Sequence, residues 1–367
     1  MIDSASTTAT FSPDYFTARQ RFRDAAHQLN WSLESHPVDA RGPNDEELTI
    51  DVAVFDRAGS SATVLVTSGV HGAEGSFGSA VQLAMLHEWR NTEISIRVVF
   101  VHAVNPFGFA HRRRFGEHNV DLNRNFLLDG EAFTGSPPMY AKLDSILNPK
   151  SPPRFDAFTL RSLAFIARYG RTALKQAIAG GQYDFPKGLF FGGHAPSQSQ
   201  RILKANLARW LGESKSVMHL DYHTGLGEWG TYKLLLDEPI TDELRVRLRN
   251  VFGSESLELM HQDGIAYEAR GGFGMWCLEQ NRHRDYVFLC PEFGTYDGIT
   301  MLKGLRAENQ SHHWCAPTDA ARQQTKSALS ELFVPADAGW RTKVLHDGQE
   351  LIRRAASGEW IGSRGKG

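Results

Sequence analysis

Short apolar runs alternate along this chain with segments whose apolar residues recur every third or fourth position, the two signatures of strand and helix. Residues 13–30 carry Tyr15, Phe16, Phe22 and Leu29 at helical spacing and predict a helix packed on the outside. Residues 48–55 alternate and predict a strand; the β-branched run 62–67 predicts a buried one. A helical pattern at 79–86 and a mostly apolar strand at 94–104 follow. Strand, helix, strand in this order implies a right-handed crossover and parallel pairing.

Residues 127–156 are rich in Pro, Gly and Ser and read as a long surface excursion. Residues 157–180 predict one helix with Phe158, Leu160, Leu163, Ile166, Ala167 and Leu174 on a single face. A loop at 181–194 and a helix at 197–211 follow. Residues 217–225 predict a strand running into a glycine loop, and 231–236 another strand. An amphipathic helix is expected at 241–253 and a short one opening at 271–276. Residues 286–290 form a buried strand that should deliver Glu292 to a loop. Helices at 298–309 and 319–333 precede a charged terminus, 340–367, read as a helix ending in a frayed tail. The alternation predicts an α/β fold. No repeat or linker breaks the chain. It divides into one domain at 1–335, with a loop-rich insertion at about 127–200, and a C-terminal helix and tail at 336–367.

The charges nearly cancel, 40 Lys and Arg against 42 Asp and Glu. That argues against a nucleic-acid binder relying on bulk positive charge. Cys277, Cys290 and Cys315 cannot all pair and show no Cys-x-x-Cys spacing, so no disulfide framework is expected. No apolar run reaches the roughly 18 residues of a membrane helix. The first residues lack the basic and apolar regions of a signal peptide. A soluble, cytoplasmic protein without a nucleic-acid or membrane partner is expected.

The chemistry concentrates at strand exits. His71 and Glu74 lie between the strand at 62–67 and its helix, where open α/β sheets place ligands. An imidazole and a carboxylate three apart on a tight turn can converge on one metal ion; a helix-capping carboxylate beside an incidental histidine is the alternative. Gly69, Gly72 and Gly75 are expected to supply the backbone angles of that turn. His219, Asp221 and His223 share one side of their strand by alternation. His223, at the exit, is best placed to reach a metal. Asp221 could orient it, and His219 is expected to be buried in the sheet. The run Arg112, Arg113 and Arg114 is either a solvated patch or, between Asn-rich turns, a carboxylate fork. Residues 225–230 fit Gly-x-Gly-x-x-Gly, but a strand pattern follows instead of a helix, which rules out a dinucleotide loop. Glu292, just past an apolar strand, is a cap or a catalytic base.

The ordered set His71-x-x-Glu74, Asn105-Pro106-x-Gly108, Asp121-Leu122-Asn123-Arg124-Asn125-Phe126, His223 and Glu292 resembles the zinc carboxypeptidase superfamily. It is most similar to the bacterial DUF2817 branch, whose look is shared by 188–193 and 113–115, and is related to aspartoacylases and succinylglutamate desuccinylases. The likeness spans about 40–310. It implies a mixed, largely parallel central sheet with helices on both faces. It also implies one Zn2+ per chain on His71, Glu74 and His223, with Asp121 steadying His71 through its other ring nitrogen. Glu292 would be the general base for zinc-bound water. Arg114, or its neighbour Arg113, would polarise the scissile carbonyl and hold the oxyanion, and Asn123 and Arg124 would grip a substrate carboxylate, with Arg113 a further substrate contact. Tyr267 and Tyr296 are both open as the tyrosine that covers substrate. Residues 127–200 depart from digestive carboxypeptidases.

The expected activity is zinc-dependent hydrolysis of an amide next to a free carboxylate, as in a carboxypeptidase. An N-acyl amino acid deacylase shares the same pieces. A non-catalytic metal-binding protein is the contrasting class, set against the presence of Glu292, Arg114 and Arg124. No Gly-x-Ser-x-Gly elbow supports a serine hydrolase. The expected partner is a small peptide or N-acyl amino acid; oligomeric state is not readable.

Overall fold

The apolar runs assemble into one eight-stranded sheet in the order β1-β2-β4-β3-β5-β8-β6-β7. The computed structural model describes residues 8–237, 240–254, 256–259 and 269–361. Helix α1 (Tyr15–Gln28) precedes β1 (Ser32–Arg41), β2 (Glu47–Phe55) and β3 (Ala62–Ser68). Helix α2 (Gly75–Glu88), β4 (Arg97–His102) and the short α3 (Pro106–Ala110) follow. The excursion holds α4 (Pro138–Leu147), α5 (Phe158–Tyr169) and α6 (Arg171–Ala179), and then come α7 (Gln198–Leu211), β5 (Ser216–Trp229) and β6 (Tyr232–Leu236). The remainder is α8 (Asp242–Phe252), β7 (Leu257–Leu259), α9 (Phe273–Gln280), β8 (Asp285–Gly294), α10 (Gly298–Trp314), α11 (Ala320–Phe333) and α12 (Ala338–Ala356).

Strands β4, β3, β5 and β8 pair parallel in that order, as do β6 and β7; β1, β2 and β6 join their other neighbours antiparallel. The sheet is thus mixed with a parallel centre, as expected. Alternation splits each central strand between two cores. Val64, Val66, Met218, Leu220 and Leu289 pack with α1, α2 and α12. Leu65, Val217 and Phe288 pack on the other face with Leu207 and Trp210 of α7 and Trp276 of α9. Burial on both faces explains why these strands read as continuous apolar runs.

Several expectations change. Residues 157–180 are two helices, because Gly170 breaks them at φ +80°. Leu160 and Leu163, expected to share one face with Phe158 and Leu174, are 71% and 50% exposed while those two are buried. The excursion at 127–156 contains α4, opened by Pro138 at its first turn. Strand β1 was not expected: it is polar on its exposed side and carries Pro37, which an edge strand tolerates. Strand β5 runs on to Trp229, and Glu292 lies inside β8, not on the loop beyond it. The C-terminal helix packs on the sheet: the Trp340 indole donates to the Gly294 carbonyl (3.0 Å) and Tyr222 donates to the Gly348 carbonyl (2.6 Å). Among the described residues no helix is long and apolar enough to cross a membrane.

Candidate metal centre

The chain leaves β3 at Ser68, turns at Gly69 (φ +68°), and passes His71 into a 3-10 turn, Gly72–Glu74, that runs directly into α2. Of the three glycines only Gly69 needs its unusual angle. Gly72 is required by space: a Cβ there would lie 2.0 Å from the Gly108 carbonyl carbon in α3. Asn105 caps that short helix by accepting from the Gly108 amide (2.8 Å). The ladder of β5 carries the third residue, His223, to the same spot.

His71, Glu74 and His223 are buried, and one ligand atom from each lies within 4.8 Å of the others. The two imidazoles turn Nδ1 toward each other at 3.2 Å. Glu74 closes the set, 2.9 Å from His71 Nδ1 and 3.1 Å from His223 Nδ1, and also accepts from the Thr224 amide. Two imidazole nitrogens and a carboxylate form the donor set of a borderline cation such as zinc. The outward nitrogens are committed elsewhere. His223 Nε2 lies 2.7 Å from Asp221, and His71 Nε2 lies 3.3 Å from Asp121. A carboxylate behind a metal-binding imidazole fixes the tautomer that leaves Nδ1 free for an ion, as Asp221 does for His223; His71 Nε2 is shared between Asp121 and the Arg114 guanidinium. The residues present therefore fit a divalent metal.

A second layer holds those carboxylates. Thr67 donates to Asp221 and touches His219 Nε2 (2.9 Å), whose Nδ1 meets the Tyr286 hydroxyl (2.8 Å). His219 is thus buried and hydrogen-bonded in the sheet, and burial lowers its pKa to about 4. Arg114 donates from Nε to Asp121 (3.0 Å) and its Nη2 lies 2.7 Å from His71 Nε2. Burial works against charge on Asp121, but Arg114, Arg124 and His71 hold it well below the usual carboxylate range. Burial likewise opposes charge on Glu74 and His223. His71 and His223 nevertheless push Glu74 down, while Asp221 and Glu74 push His223 well up.

Glu292 stands opposite His223 in the parallel pairing of β5 and β8 and accepts from the Leu226 amide (2.9 Å). Side chains paired in register leave the sheet on the same face, so both line one cavity. Burial and the nearby Glu74 raise the Glu292 pKa to about 7, against the pull of His223, Leu226 and Arg114.

The arginines separate. Arg114 and Arg124 line the cavity. Arg113 does not join the cluster: it is fully buried, donating to Glu308 (2.7 Å) and Asn119 (2.9 Å). It cannot serve as the substrate contact expected of it. Arg124 donates to the Ala179 carbonyl (2.8 Å), and its guanidinium stands 5.8 Å from the Phe190 ring centre. Asn123 accepts from the Phe273 amide (2.9 Å). Tyr296 borders the cavity and reaches Glu331 (3.3 Å); Tyr267 lies outside the described residues. Lys175 of α6 was not anticipated. It lines the cavity with a pKa lowered by burial against the raising influence of Glu258 and Glu292. On a helix of ordinary composition nothing singled it out.

A family model described as "Protein of unknown function (DUF2817)" matches residues 11–347. No curated protein sequence matches the chain. Among solved structures, bovine thrombin-activatable fibrinolysis inhibitor in complex with tick carboxypeptidase inhibitor is 10% identical at a TM-score of 0.51, covering 94% of this chain and 96% of that one. A metallo-carboxypeptidase from Pseudomonas aeruginosa in complex with (2-guanidinoethylmercapto)succinic acid is 13% identical (TM-score 0.47, covering 93% and 68%). The murein-tripeptide amidase MpaA from Escherichia coli O157 is 19% identical (TM-score 0.37, covering 78% and 94%). The likeness to the bovine protein establishes the carboxypeptidase fold.

Proposed function

We propose, from the premise that this chain belongs to the DUF2817 family and carries the carboxypeptidase fold, that it is a zinc-dependent hydrolase of amides that lie next to a free carboxylate. The observation that carries this reading is the convergence of two imidazole Nδ1 atoms and a carboxylate beside a separate, buried carboxylate, Glu292, whose pKa is held near neutrality.

When bound by His71, Glu74 and His223, the ion supplies Lewis acidity and brings the pKa of water to about 7. Asp121 and Asp221 keep both imidazoles turned inward. Glu292 takes the proton of the attacking water and returns it to the leaving amine. Its pKa near 7 suits both halves of that exchange. Arg114, anchored by Asp121, sets positive charge against the developing oxyanion. Asn123 and Arg124 orient the substrate through its carboxylate, a role to which a planar guanidinium is suited. The helices at 138–179 enclose the rest of the substrate.

The test is metal content of the purified protein, followed by a panel of C-terminal peptides and N-acyl amino acids assayed with and without chelator. Stoichiometric zinc and chelator-sensitive release of a free amino acid are expected. Zinc with no cleavage of any amide would favour a binding protein instead.

A further inference from the structure

The cavity that holds the metal cluster has a volume of about 1720 Å³. Ordinary small-molecule sites span roughly 300–1,000 Å³. The additional lining comes from helices of the excursion and from α10; it is largely apolar, with Ser162, Arg171, Thr172, Lys175 and Gln176 among it. Leu147 of α4, Ile166 of α5, Leu174 and Ile178 of α6, and Leu302 of α10 all face it. The same side chains pack as a further cluster, which Ile178 and Leu302 join to the core on one face of the sheet. The cavity therefore has a charged end, at Glu292, Arg114 and Arg124, and a largely apolar extension walled by helices, into which Lys175 also projects.

Two arguments identify what fills the apolar end. Water against Leu147, Ile166, Leu174, Ile178 and Leu302 finds no hydrogen-bond partner in those side chains, so an apolar group displaces it favourably. The wall is also helical, and helix N–H and C=O groups are bonded internally. A peptide entering it would bring an amide at every residue. Each amide that lost its water and gained no partner would cost a factor of about 5 to 150 in affinity. An unbranched hydrocarbon chain brings no such groups.

We propose that the chamber receives a long acyl chain, so that the substrate class is an amino acid carrying an N-linked fatty acyl group. This rests on the hydrolase reading given above. The carboxylate sits at Asn123 and Arg124, the amide at Glu292, and the chain runs between α4, α5, α6 and α10. Hydrolysis adds water across the C–N bond. The oxygen joins the acyl carbon, the nitrogen departs with the proton carried by Glu292, and a fatty carboxylate and a free amino acid result.

The zinc-loaded protein is titrated calorimetrically with N-acylglycines from acetyl to palmitoyl, below their micelle concentrations, and with glycine-terminated peptides of matching length. Affinity should climb with chain length by up to a factor of about four per methylene before it levels. Peptides of the same reach should bind at least tenfold more weakly. Ile166→Asn and Ile178→Asn, both half-buried positions in the wall, should each flatten the climb. Affinity constant within threefold from acetyl to palmitoyl overturns the proposal, as do peptides that bind equally well. Turnover of the same compounds tests the reading beneath it. Chain-length-dependent binding without cleavage of any amide removes the hydrolase and leaves the chamber. Cleavage of short amides with no gain from length does the reverse.

Discussion

Burial lifts the Glu292 carboxyl to about 7, with Glu74 pushing the same way. A base must be ionised, so kcat/KM should rise as pH climbs through this value, and a cation on the ligands moves the limb lower. Glu292→Gln should cut kcat by 10²–10⁴ while zinc content, read by atomic absorption, stays stoichiometric. The metal-free protein offers a second reading. The folded pKa stands above the ordinary 4.5, so the protonated carboxyl favours folding below that value. That contribution fades as pH rises through about 7. Denaturant melts of metal-free wild type should lose stability over this window relative to Glu292→Gln. Asp121→Asn and Asp221→Asn should each weaken zinc 10–100-fold in competition with a chromophoric chelator. Unchanged affinity would show that these carboxylates do not steer the imidazoles. The convergence of His71, Glu74 and His223 was legible because each follows or ends an apolar run, a position that fixes direction. The arginine run carries no such phase. Arg113 finds its partner Glu308 195 positions away, and no local pattern encodes that contact.

At the scale of elements, the turn from β3 to α2 works because it presses on α3 with nothing between backbone and backbone. A Cβ at Gly72 would fall 2.3 Å from the Phe109 amide nitrogen as well as on Gly108. Gly72→Ala should therefore push His71 and Glu74 off their shared point. We expect about 1–3 kcal/mol of lost stability and a larger loss of zinc affinity, measured by denaturation and by chelator competition on the folded fraction. Arg113→Ala should leave Glu308 buried and unpaired at a cost of about 3–5 kcal/mol, with the KM of folded enzyme unchanged. A raised KM would return Arg113 to the substrate. The central strands and most helices could be read from periodicity because burial on both faces, or on one stripe, writes itself into composition. What escaped had no such signature. β1 is a polar edge strand, α4 hides behind a Pro and Ser stretch, and the Gly170 break divides a pattern that looks continuous.

Across the whole molecule the ion would join segments that only tertiary packing brings together. His71 and His223 are 152 positions apart, one after β3 and the other on β5. Metal bound to the folded state alone should raise stability by about 2.7 kcal/mol at one hundred times its dissociation constant. Chelator should lower the melting temperature accordingly, and added zinc should restore it. A melting temperature indifferent to both would mean the three donors hold no ion. The C-terminal helix shares in this body through Arg353, paired with Glu88 of α2 (2.7 Å), and through Trp340. His223 and Glu292 are rungs of one hydrogen-bonded ladder, so no hinge can part the proposed ligand from the proposed base. The chamber instead is walled by three helices strung between residues 138 and 179 and by α10. On the proposed reading the cutting tool is set in the sheet, and most of the gauge that selects the workpiece lies in the excursion. Grafting a differently shaped excursion into this sheet should redirect the same blade without regrinding it.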